Sequence, residues 1–193
     1  MDRPQSDVPG AQYNALSLAQ SWGGVCDNTL AFHHVELATL LAIWRDKAGP
    51  DRAPMRDALT PKLLKAYLPH IAIYERVTGE SGKRRWRVRL MGSKFVQVMG
   101  DLANKFLDEV VPESFLPRWN AALDEVLDAS VPLRFFTRSE TNNKSFLIGE
   151  YLEAPLLDAN GAMTKVFAAG YYTAANEWAA EAPHEALPRA ALR

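Results

Sequence analysis

The sequence predicts an α+β fold: a five-stranded antiparallel sheet with helices covering one face, preceded by an N-terminal helix. Three observations predict it. Apolar residues recur at helical spacing early in the chain and again midway along it. Five short runs rich in β-branched and aromatic residues alternate apolar with polar positions. Polar turn sequences join most of those runs as hairpins, which makes the sheet antiparallel.

The elements follow in order. Residues 1–28 are rich in Asp, Pro, Gly, Ser and Gln and read as a mobile arm. A helix is expected from Leu30 to Ala48, with Leu37, Leu40, Leu41 and Trp44 on one face and Gly49-Pro50 as its stop. Thr60-Pro61 opens a short helix that ends before Pro69. Strands follow over residues 70–77 and 85–91. In the second, Trp86, Val88 and Leu90 point one way and Arg85, Arg87 and Arg89 the other. Residues 92–111 read as short helical turns, and residues 113–129 as a longer helix with a broad apolar stripe through Phe115, Trp119, Leu123 and Leu127. Three strands close the domain at 133–140, 145–157 and 164–172, joined by Asn142-Asn143-Lys144 and Asn160-Gly161. The domain proper spans 29–173, and residues 174–193 form an Ala-rich tail.

Bulk composition excludes several classes. The 193 residues are 48% hydrophobic and 23% charged, ordinary for one globular core. A formal net charge of -1 gives no global pull toward nucleic acid or anionic membrane. The single cysteine, Cys26, forms no internal disulfide. No signal sequence or membrane-length apolar run is present, so a soluble cytoplasmic protein is expected.

The order of two strands, a helical middle and three strands resembles the PAS fold, and the residues make the likeness closer. They are Trp44-Arg45, Pro54-Met55-Arg56 with Pro61, Leu68-Pro69-His70-Ile71, Arg87-Val88-Arg89-Leu90-Met91-Gly92, Gly100-Asp101-Leu102 with Phe106-Leu107-Asp108-Glu109, and Val131-Pro132-Leu133. As an ordered set they resemble a bacterial, alphaproteobacterial-type family of single-domain PAS proteins. Ser93 departs from that pattern, where the family commonly carries Thr after the glycine. The resemblance implies a sensory and regulatory protein in signal transduction, often a dimer, with space between sheet and helices for a small molecule.

A small apolar or amphipathic ligand would sit between Trp86 and Trp119. Phe95, Val98 and Met99 form one wall and Leu123, Phe135 and Ile148 another, with Tyr151 as a hydroxyl and Arg89 as a charge. The alternative is a ligand-free interaction module whose homodimer or partner surface is Leu37, Leu40, Leu41 and Trp44. Metal is not expected, because adjacent His33-His34 lack ligand spacing and His70 and His184 stand alone. Haem has only His70, Met91 and Met99 as plausible ligands. A flavin adduct lacks a cysteine in 92–111. Asp108-Glu109 and Glu150 with Glu153 are carboxylate pairs without an evident cleft. No catalytic motif appears, so the chain is expected not to be an enzyme. The basic run at Lys83-Arg84-Arg85 reads as a solvated hairpin or a protein contact rather than a nucleic-acid platform, because Trp86 lies on the opposite face. Output must then pass to a signalling protein partner.

Overall fold

A computed structural model describes residues 8–49, 53–79, 82–139 and 146–181. Its centre is one six-stranded antiparallel sheet in the order β1-β4-β5-β6-β2-β3. The strands are β1 (Gly24–Asp27), β2 (Ile71–Thr78), β3 (Arg84–Met91), β4 (Leu133–Arg138), β5 (Leu147–Leu157) and β6 (Met163–Ala174). The helices are α1 (Ala11–Gln20), α2 (Val35–Ala48), α3 (Ser93–Met99), α4 (Leu107–Val110), α5 (Leu116–Ala129) and α6 (Ala175–Glu181). None is long and apolar enough to cross a membrane, among the described residues.

The five expected strands are present, and the sixth comes from the segment read as an arm. β1 pairs with β4 over four residues, from Gly24 opposite Thr137 to Asp27 opposite Arg134. α1 then covers the open side of β1 with side chains. The Asn14 amide donates to the Cys26 carbonyl and accepts from the Cys26 N–H, both at 2.8 Å, and the Ser17 hydroxyl donates to the Gly24 carbonyl at 2.6 Å. An exposed strand edge invites pairing with another chain, and these side chains occupy it instead.

Helices cover both faces of the sheet, not one. The inner face carries Ala72, Tyr74, Trp86, Val88, Leu133, Phe135, Tyr151, Val166 and Ala168 beneath α3, α4, α5 and Tyr13 of α1. The outer face carries Ile71, Ile73, Leu152, Ala154, Leu156, Phe167 and Ala169, and α2 seals it with Leu37, Leu40, Leu41 and Trp44. Those four residues were expected at a dimer or partner surface. They are fully committed inside the chain: Leu37 is 0% and Trp44 7% exposed, and the Trp44 indole donates to the Pro155 carbonyl at 3.0 Å.

The β2–β3 ladder runs from Ala72 opposite Met91 to Thr78 opposite Arg84, with a bulge between Ile73 and Tyr74. Ile73 pairs with Leu90 and Tyr74 with Val88, so Arg89 is the extra residue. The bulge shifts the alternation: Trp86 and Val88 face the inner core, whereas Leu90 packs on the outer one. In the tail, α6 places Trp178 against Phe136 and Ile148. The Thr60-Pro61 segment forms turns rather than a helix, and the turn at Asn142-Asn143-Lys144 lies outside the described residues.

Candidate functional site

Strand parity builds the site. Along β5, Leu152, Ala154 and Leu156 join the outer core, so Tyr151 and Glu153 point between the sheet and α5. There they meet a cavity of about 80 Å³. Its apolar wall is Phe95 and Met99 of α3, Trp119, Ala122 and Leu123 of α5, Phe135 of β4 and Ala168 of β6. Its polar groups are Tyr13, Tyr74, Tyr151, Glu153, Arg118, Thr137, Arg138 and Ser139. Tyr151 needs two glycines to occupy its place. A methyl group on Gly149 would collide with the Tyr151 hydroxyl, and one on Gly170 would lie 2.8 Å from the Tyr151 ring and 2.9 Å from Phe95.

Glu153 is the chemically unusual member. Its Oε2 is buried and makes no hydrogen bond. Burial alone raises its carboxyl from an ordinary 4.5 to about 8, so near neutral pH the group is largely a neutral acid. The surrounding phenols are pushed the same way, chiefly by loss of water around Tyr13, Tyr74 and Tyr151, with Tyr151 raised to about 12. Arg118 is buried as well. Its guanidinium donates to the Trp22 carbonyl at 3.0 Å and lies 5.6 Å from the Phe115 ring centre. The segment around α1 therefore closes one side of the cavity. Tyr13 stands edge-on to Phe135 at 5.0 Å, and the Gly10 N–H donates to Glu125 of α5 at 2.6 Å.

A curved antiparallel sheet with a helical wall inserted after its β2–β3 hairpin is the arrangement of a known family, and the family model described as PAS domain matches residues 32–172. The chain belongs to the PAS domain family. Membership supports a sensory or regulatory role for it. The α1–β1 segment precedes the matched residues, so Tyr13 reaches the PAS cavity from outside the family region. Solved structures similar to the chain include two light-sensing proteins. One is the structure of an RNA-binding light-oxygen-voltage receptor, at 16% identity and TM-score 0.43 over 68% of this chain and 38% of that one. The other is the light-state structure of the blue-light photoreceptor Aureochrome1 LOV, at 11% identity and TM-score 0.38 over 66% and 98%. No curated protein matches the chain.

The PAS core distributes the sequence-selected residues unevenly. Phe95, Met99, Trp119, Leu123, Phe135 and Tyr151 share the cavity. Val98 is buried on α3 but does not line it, and Trp86 sits deeper, its indole donating to Asp124 at 3.2 Å. Ile148 was expected in the wall, but its parity puts it on the outer face with Phe136 and Trp178. Arg89 is exposed at the bulge, 3.6 Å from Glu75, and supplies no charge to the cavity. Sequence reasoning missed Tyr13, Tyr74 and Arg118, and took Glu153 only as half of a carboxylate pair with Glu150 and not as part of the cavity. The available signal for Glu153 was its parity with Tyr151, two residues away on an inward-facing strand.

Other polar candidates are structural. Arg85 was read as part of a solvated run or a protein contact. It makes a bidentate pair with Asp108, bonds Glu109 at 2.6 Å and covers Phe106 at 3.9 Å. The Asp108 bond holds the guanidinium protonated, and Arg85 in turn lowers the Asp108 carboxyl. On the outer face, buried Glu150 takes Arg134 at 2.6 Å and the N–H groups of His33 and His34 at 2.9 Å each, at the start of α2. His70 stacks on Tyr171 at 4.0 Å, and its Nδ1 is 3.0 Å from the Gly170 carbonyl. No group of three or more His, Cys, Asp or Glu is placed to hold a metal among the described residues. Cys26 is buried, and desolvation pushes its thiol far above the usual range, which disfavours a reactive thiolate.

Proposed function

We propose that the protein is a sensory domain that binds a small amphipathic molecule in the cavity between α5 and the sheet, and signals occupancy to a protein partner. One observation carries this reading. Glu153, whose Oε2 is buried and unbonded, lines a cavity that combines an apolar wall with a few phenol, hydroxyl and guanidinium groups. Leaving a buried acceptor unpaired costs about 1–3 kcal/mol, and a ligand donor recovers it. In this reading the site binds rather than reacts, and the protein acts as a regulator and not as an enzyme. We place it in the bacterial type of PAS protein, in the cytoplasm.

The mechanism is a population shift. At about 80 Å³ the cavity is far smaller than the ~300–1,000 Å³ of drug-sized sites, so a larger ligand favours a state with α5 or α1 displaced. Occupancy thereby reaches the Gly10–Glu125 and Trp22–Arg118 contacts, which tie the residues flanking α1 to α5. A ligand-free dimer through α2 is disfavoured by the burial of its apolar face under the protein's own sheet. Native mass spectrometry of the purified chain tests the proposal. A retained small mass that is lost in Glu153→Leu supports it. A bare protein that also binds no member of a fragment library refutes it.

A further inference from the structure

Resting on that reading, we infer that the cavity recognises a small neutral ligand through an amide-type group, an N–H donor beside a carbonyl acceptor, held by the Glu153 carboxyl. The Glu153 backbone is held inside β5, and the buried Oε2 of its carboxyl lacks a partner. A carboxylic acid offers one acceptor and one O–H donor side by side, and an amide offers the complement. Burial keeps Glu153 in that protonated form near neutral pH.

The rest of the lining selects against charge. Arg118 from α5 and Arg138 from β4 face the same space and oppose a cation. Phe95, Trp119 and Phe135 make much of the wall apolar, so an ion that enters loses hydration there. The other titratable groups facing the cavity, Tyr13, Tyr74 and Tyr151, remain neutral phenols. Size adds a limit. A cavity of about 80 Å³ is smaller than the ~150 Å³ that admits benzene, so it accepts a few heavy atoms or the end of a longer molecule.

The test compares propionamide, n-propylammonium, propionate and 1-propanol, equal in length and different in polar group, by NMR titration of the full chain. The propionamide contact should be stronger by about tenfold at about pH 6, equivalent to one hydrogen bond in a dry site. That advantage should fall as pH rises through the titration of Glu153. It should vanish in Glu153→Met, which keeps the volume and removes the polar group. A preference for propylammonium or propionate overturns the neutral-amide assignment and leaves the cavity reading standing. Equal binding of all four probes also overturns the assignment. Absence of any shift at the Phe95, Trp119 and Tyr151 resonances with every probe overturns both.

Discussion

Glu153→Gln removes the ionisable group from the cavity while keeping its shape, and its effect on stability should depend on pH in a defined direction. The folded carboxyl titrates at about 8, against an ordinary 4.5 once the chain unfolds. Below about pH 4.5 both states hold the proton, and the group contributes no pH dependence. Above it, the unfolded chain releases the proton while the folded one retains it, so the native state loses stability until the folded group also ionises. The full interval, at about 1.36 kcal/mol per pH unit, sets a ceiling of about 5 kcal/mol. Partial exposure of the residue discounts this to about 2–4 kcal/mol. Urea unfolding of both proteins at about pH 5 and about pH 8 isolates the effect, because carboxylates such as Asp27, Asp108 and Asp158, whose values are lowered, titrate below this window in both proteins. Glu153→Gln should gain about 1.5–3 kcal/mol on the wild type between those two conditions. A difference that stays constant with pH, or that moves against the variant at the higher pH, refutes the buried-acid assignment.

Other perturbations follow from packing. Trp44→Ala should cost about 3–5 kcal/mol in chemical denaturation without changing the oligomeric state in sedimentation, because its ring fills the chain's own outer core. Arg134→Met should cost about 3–5 kcal/mol in the same assay, since it leaves Glu150 buried without its ion partner, whereas Asp27→Asn at the half-exposed end should cost less than about 1 kcal/mol. Trp119→Ala should cost only about 2 kcal/mol, below the full core value, because Trp119 is partly exposed and packs on the cluster from its rim; calorimetric melting reads the difference. Gly170→Ala should cost about 1–3 kcal/mol and disturb the near-UV signal of Tyr151, because the added methyl group displaces two rings at once.

The sequence by itself determined the local elements and their order. Alternation marked β2 to β6, Asn160-Gly161 marked one hairpin, and the apolar stripes marked α2 and α5, since these signals depend only on neighbouring residues and on strand and helix periods. Tertiary structure decided everything that depends on a partner distant in the chain. β1 is only four residues long and is held by β4 on one side and by the Asn14 and Ser17 side chains on the other, so its segment carried no periodic signature. The stripe of α2 declared that it would be buried but not against what; the outer face of the sheet, built from strands up to 130 residues later, supplied the answer. One bulge at Arg89 redirected Leu90, and parity sent Ile148 away from the cavity. Glu153 looked like an ordinary strand carboxylate until α5 closed over it. Proton affinity is set by the surroundings from which water has been excluded, and only the folded chain creates those surroundings.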